Sequence, residues 1–260
     1  RRGLRGEHPA CLHTSMRIAA SVRRVYPRIA PMRRATTMAS SAEPVKSNAA
    51  AFRQPNGGTD WESMWSAGST GFDCKRTEPA LQRALDAGEV AIGRGKCLVP
   101  GCGRGYALAS LARGGFRDVV GLEISETARA AAEAHLRANE TDVPGDATIR
   151  IVVEDFFAHA PEVKYDFVYD CTFLCAIEPS RRGEWAKTMS RCIKPDGTIT
   201  SLVFPCGDFE GGPPYALSPA LVKDLLVTHG FEEVSLEEVE EKDWARGRME
   251  YFYTFRRSAA

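Results

Sequence analysis

Cys97-Leu98-Val99-Pro100-Gly101-Cys102-Gly103-Arg104-Gly105-Tyr106 decides how the rest of the chain is read. A short apolar run ends in three glycines at alternate positions. A helix-forming run, Ala107-Leu108-Ala109-Ser110-Leu111, follows at once. Glycine lets a backbone turn sharply and approach another group with no Cβ in the way. The start of the next helix then presents free N–H groups. Taken alone, the motif fits a plain tight strand–helix turn as well as a ligand cradle.

Outward from this turn, the chain alternates two signals. Apolar runs predict buried strands over 96–99, 118–122, 148–153, 165–169 and 198–204. Helical stretches are predicted between them, over 79–87, 106–113, 125–139, 181–192 and 218–228. Ser125 and Ser218 suit N-caps, and Pro219 suits the first helical position. Strand–helix alternation predicts a doubly wound, mostly parallel α/β sheet with helices on both faces. The β-rich runs 231–239 and 249–255 predict an antiparallel hairpin at its edge, for seven strands in all. The turn-rich Gln54-Pro55-Asn56-Gly57-Gly58 is a joint before this part.

The strand ends add chemistry. The second strand ends in Glu123, 22 residues after Gly101, where an acid can accept from both hydroxyls of a ribose. A helix-start carboxylate favoured by the dipole is the plainer reading. The third strand runs into Glu154-Asp155-Phe156-Phe157, a carboxylate beside rings that can accept from an adenine amino group and pack its base. The fourth ends in Asp170-Cys171. All these ends face one edge of the sheet, where ligands bind in this architecture. A dinucleotide fingerprint needs G-x-G-x-x-G, but Tyr106 occupies its last position. That disfavours a nicotinamide dehydrogenase. The G-x-G-x-G spacing is the form of S-adenosylmethionine sites.

Composition narrows the classes further. Residues 1–47 carry ten Lys/Arg against Glu7 and Glu43. Taking these from 34 bases and 34 acids leaves 24 bases and 32 acids in 48–260, a net of −8. An acidic body argues against nucleic acid as partner. No apolar run is long enough to span a membrane. The Arg-rich, acid-poor 1–47 segment reads as a disordered basic leader. As a transit peptide it would send the chain to a chloroplast or mitochondrion; otherwise the expectation is cytoplasmic. Residues 48–260 are expected to form one domain. Eight Cys show no C-x-x-C pair and five His are scattered, so no metal is expected and the thiols read as reduced, in an intracellular setting. Oligomeric state leaves no mark in the sequence.

Over about residues 59–230 the chain resembles plant and algal thiol/halide methyltransferases, within the thiopurine S-methyltransferase-like group. The residues that carry this are Trp61-Glu62-Ser63-Met64-Trp65 with Gly68-Ser69-Thr70-Gly71-Phe72-Asp73, the 98–106 turn, and Val120-Gly121-Leu122-Glu123-Ile124-Ser125-Glu126. Glu154–Phe157, Phe173-Leu174-Cys175-Ala176-Ile177-Glu178-Pro179 and Gly211-Gly212-Pro213-Pro214-Tyr215 complete them. The resemblance implies a class I fold that binds S-adenosylmethionine and releases S-adenosylhomocysteine. It implies that Trp61, Trp65 and Phe72 close over the cofactor. Gly101 and Gly103 would border its methionine part, Glu123 its ribose, and Asp155 with Phe156 its adenine. Phe72 stands where the family has Trp, and Cys171 where it has a cofactor-side Tyr. Arg182 aligns with a family Arg, and Tyr215 closes the Gly/Pro loop; both are substrate-side candidates.

Trp61 and Trp65 also have a reading of their own. At i, i+4 they share a helix face, either as core or as an aromatic lid over a sulfonium. No His, Lys or Tyr stands in a plainly catalytic setting, so an acceptor that needs no deprotonation fits best. The expected reaction is in-line methyl transfer to a small soft anion: halide, bisulfide, thiocyanate or thiolate. A methyltransferase for larger thiols and an inactive cofactor-binding homologue are the alternatives.

Overall fold

Strand β1 (Lys96–Pro100) sends Leu98 to one side and Cys97 and Val99 to the other. Side chains alternate across a strand, so a sheet with two apolar faces must be covered on both. β4 (Tyr165–Cys171) repeats the pattern: Val168 joins the Leu98 side, while Phe167, Tyr169 and Cys171 join the Cys97 side. The computed structural model describes residues 48–55, 57–90, 95–139 and 142–259, so the 1–47 leader lies outside the described residues.

One face is covered by α5 (Arg182–Cys192) and α6 (Pro219–Val227), through Trp185, Met189, Val222 and Leu226. The other is covered by α2 (Pro79–Asp86) and α3 (Tyr106–Arg113), through Leu81, Leu85, Leu108 and Leu111. α4 (Glu126–Asn139) buries only Ala128 and Ala132. Two helix starts follow the capping expectation. Ser125 Oγ accepts from the Ala128 N–H at 3.0 Å, and Ser218 Oγ from the Leu221 N–H at 3.2 Å.

The sheet runs β3-β2-β1-β4-β5-β7-β6, with β2 at Asp118–Glu123, β3 at Thr148–Val153, β5 at Ile193–Val203, β6 at Phe231–Glu238 and β7 at Tyr251–Arg257. β1 to β5 are parallel, and β7 is antiparallel to both β5 and β6. The order reverses between β1 and β4, the switch point at which such sheets open a crevice.

Two details differ from the sequence reading. β5 begins at Ile193 rather than 198, because buried Ile193 pairs with Tyr165 before the register shifts. The chain rejoins the ladder after Asp196, at φ 60°, and Gly197. The edge pair is also not a tight hairpin. β7 lies between β5 and β6, and residues 239–250 loop back toward the crevice first.

Gly121 on β2 packs beneath the glycine turn. A Cβ there would lie 2.7 Å from Cys102 Sγ and 2.9 Å from Leu108 Cδ1. Gly121→Ala is therefore expected to destabilise the fold by about 1–3 kcal/mol, read from urea unfolding midpoints.

Candidate functional site

The crevice at the carboxyl ends of β1 to β5 opens into a cavity of about 800 Å³, within the range of small-molecule sites. Its floor is the turn after β1. Gly101, Gly103 and Gly105 have φ of 57°, 53° and 78°, the left-handed region that glycine enters without strain. Space demands glycine as well: a Cβ on Gly101 would sit 2.5 Å from the Phe173 ring. Gly101 and Gly103 both line the cavity.

Glu123 at the end of β2 fastens this turn. Its carboxylate accepts from the N–H groups of Gly103 (3.0 Å), Ile124 (2.8 Å) and Ser125 (3.3 Å). Burial raises its pKa, and the three N–H groups oppose that rise. At the end of β3, Asp155 Oδ1 accepts from the Phe157 N–H at 2.9 Å, and buried Phe156 packs edge-on to Phe173 at 4.9 Å. Glu123, Asp155, Phe156 and Phe157 all line the cavity.

An aromatic cluster forms another wall. α1 (Trp61–Ser66) is a short helix whose N-cap, Asp60, accepts from the Ser63 N–H at 2.9 Å. Phe72 meets Trp61 and Trp65 edge-to-face, with centroids at 6.0 and 5.8 Å. All three rings line the cavity. Trp65 also lies over the turn, 3.6 Å from where a Gly103 Cβ would stand. Glu62 ties this helix to the start of α4. It accepts from Ser125 Oγ (2.7 Å), the Thr127 N–H (3.2 Å) and Thr127 Oγ1. These donors, Thr127 first, hold its pKa down at about 2.

Ahead of α1, Arg53 clasps the rim. Its Nη1 donates to Glu178 Oε1 (3.1 Å) and Gly57 O (3.3 Å). Its Nη2 donates to Gly212 O (2.9 Å) and the Tyr215 hydroxyl (3.3 Å). The segment before α1 is thereby joined to the loops after β4 and β5.

Three sequence candidates stand off the cavity wall. Cys171 shares the β4 face of Phe167 and Tyr169, and its thiol meets Arg246 Nη1 at 3.9 Å. Arg182 donates to Ala216 O at 2.9 Å, while its neighbour Arg181 reaches the cavity and covers the Phe157 ring at 3.6 Å. Tyr215 belongs to the Arg53 clasp, although Pro213 and Pro214 beside it do line the cavity. Asp170, next to Cys171 on β4, is fully buried and accepts from Trp185 Nε1 (2.8 Å) and the Leu174 N–H (3.2 Å). Burial pushes its pKa up to about 6.

Sequence reading missed Arg246, which lines the cavity and pairs with buried Glu78 at 3.1 Å. The described lining residues include no His, Lys or Tyr. Burial pushes the one fully buried thiol among them, Cys175, up to about 12. Among the described residues no cluster of three His, Cys, Asp or Glu could hold a metal ion. No described helix is long and apolar enough to cross a membrane.

A family model described as Thiopurine S-methyltransferase (TPMT) matches residues 57–257. The chain belongs to the thiopurine S-methyltransferase family. Probable thiol methyltransferase 2 of Arabidopsis thaliana is 36% identical over 204 residues, covering 78% of this chain and 87% of its own length. Thiocyanate methyltransferase 1 of Brassica oleracea is 40% identical over 179 residues, covering 68% and 76%. Magnesium protoporphyrin IX methyltransferase from Synechocystis PCC 6803, solved with bound S-adenosylmethionine, shares the fold at TM-score 0.56 and 18% identity, over 76% of this chain and 95% of that one. The chain is an S-adenosylmethionine-dependent methyltransferase of class I fold. The cavity fits that cofactor: a glycine cradle, a carboxylate 22 residues on, and aromatic walls meet in one space.

Two outcomes follow from this geometry. Gly101→Ala must accept φ 57° and displace Phe173, so S-adenosylhomocysteine affinity should fall about tenfold or more in a calorimetric titration. Glu62 has a folded pKa near 2, below its ordinary 4.5, so its support is full above 4.5 and fades as pH falls toward 2. The stability gap between wild type and Glu62→Gln should thus be flat above pH 4.5 and close below it, in acid titrations of unfolding.

Proposed function

We propose that the protein transfers a methyl group to a small soft anion such as a halide, bisulfide, thiocyanate or a thiolate. The observation that carries this reading is the make-up of the cavity wall. It supplies aromatic rings, the buried Cys175 thiol, the Arg246 guanidinium and carboxylates, but no described His, Lys or Tyr to take a proton. An acceptor that arrives already ionised needs none. The thiol and thiocyanate methyltransferases among the relatives point the same way.

When bound, S-adenosylmethionine supplies an electrophilic methyl on a cationic sulfur, which an anion takes as the carbon–sulfur bond breaks, leaving S-adenosylhomocysteine. Gly101 and Gly103 would border its methionine part, Glu123 would accept from its ribose hydroxyls, and Asp155 with Phe156 would flank its adenine. Glu123 also holds the turn through Gly103, so one side chain would both shape the cradle and bind within it. Trp61, Trp65 and Phe72 would present ring faces to the positive sulfur, an attraction of about 0.5–2 kcal/mol. Together they would keep water away. Neutralising a cation with an anion is favoured in a dry site, because water stabilises the separated charges most. Holding the partners in line removes an entropy cost worth up to about 7–11 kcal/mol of barrier.

A larger thiol is the second reading, favoured by a cavity of about 800 Å³ and by relatives named thiopurine S-methyltransferase at 26–30% identity. The seven described cysteines are free thiols, which supports a reducing, intracellular setting.

The test uses methyl-labelled S-adenosylmethionine with potassium iodide, counting label in the headspace. Volatile label is expected, and bisulfide and thiocyanate should compete with iodide. Turnover of an aromatic thiol with none of iodide, bisulfide or thiocyanate would replace the small-anion reading with the second one.

A further inference from the structure

The strand order divides the cavity. The ends of β1, β2 and β3 carry Gly101, Glu123 and Asp155 in a row, which the cofactor reading uses up. The other half lies beyond the ends of β4 and β5, where Phe204 and the 239–250 connection close it. Arg246 enters there. Its side chain is 14% exposed, and its guanidinium stands 5.4 Å from the Phe204 ring centroid.

The guanidinium is held but not saturated. Nη2 donates to Glu78 Oε1 at 3.1 Å and to Cys74 Sγ at 3.7 Å. Nη1 has only Cys171 Sγ at 3.9 Å, with Glu250 Oε1 also 3.9 Å away. Nε is buried without a hydrogen-bond partner, and so is Glu250 Oε1. A guanidinium offers five N–H donors, and leaving them buried and poorly matched costs stability. Buried ion pairs are in any case weak stabilisers compared with apolar packing. A fixed cation with spare donors, facing a ligand cavity, is the arrangement that receives an anion.

We propose that Arg246 binds the acceptor anion, with Glu78 as the residue that positions it, and that this pair selects charged acceptors over neutral ones of equal size. The inference rests on the small-anion reading above. Glu78 does two opposing things. It fixes the plane of the guanidinium, and it competes with the acceptor for the same positive charge. Cys74 and Cys171, whose thiols burial pushes up, stay neutral and leave that charge undiminished. Arginine is more weakly hydrated than lysine, so it suits an anion that must shed water to enter.

The experiment titrates thiocyanate calorimetrically into the full chain saturated with S-adenosylhomocysteine, and measures iodide and thiocyanate KM alongside. The variants are Glu78→Gln, and Glu78→Gln combined with Arg246→Met so that Glu78 does not remain as an unpaired carboxylate. Glu78→Gln should bind thiocyanate more tightly, because its competitor is gone. The double variant should weaken thiocyanate binding and raise both KM values about tenfold or more, with S-adenosylhomocysteine affinity unchanged. Opposite signs in the two variants are not what a purely structural pair gives. Unchanged or weaker anion binding in Glu78→Gln overturns the proposal, and so does wild-type anion affinity in the double variant. Wild-type protein that binds S-adenosylhomocysteine but neither binds nor methylates any of these anions overturns the small-anion reading, and this inference with it.

Discussion

A buried carboxylate at the end of β2 governs the ligand edge. Glu123 collects three backbone N–H groups, one from the glycine turn and two from the entry to α4. Without it, the N–H groups of Gly103, Ile124 and Ser125 would lose their acceptor, and unmet donors are costly. Glu62 then anchors α1 on that α4 entry, and the aromatic cluster follows from α1. The glycine turn and the aromatic wall therefore share one electrostatic root.

Much of this fold could be read from periodicity, because parallel strands covered on both faces show as plain apolar runs. The predicted 96–99, 118–122 and 148–153 strands lie within one or two residues of those observed. The glycine turn was legible because positive φ leaves glycine as its mark. The irregular parts were not. Ile193 starts β5 early through a bulge that no local signal announces, and β7 inserts between β5 and β6 by long-range pairing alone.

The site divides along the same line. Gly101, Gly103, Glu123, Asp155, Phe156, Trp61 and Trp65, which all line the cavity, sit just after a strand or on a helix face, whereas Phe72 was named through the family resemblance alone. Cys171 was placed by its position after Asp170; the two-residue alternation puts it on the face of Phe167 and Tyr169, where it meets the cavity-lining Arg246. That signal was present in the sequence. Arg182 and Arg181 differ by one helical step, about 100° of rotation, and only packing decides which reaches the cavity. Glu78 and Arg246 lie 168 residues apart and carry no shared motif, so their pairing appears only once the chain is folded.

The placement of β7 bears on the order in which the molecule comes to exist. During synthesis, β1 to β5 leave the ribosome well before β7, which must then slot in between β5 and β6. Until it does, β5 keeps an open edge, a hazard for mispairing with another chain. Arg246 lies just ahead of β7, on the segment that insertion pulls into position. The glycine turn is thus encoded early in the chain and the Arg246 wall of the same cavity late, so the cavity is complete only once the last strand is in place.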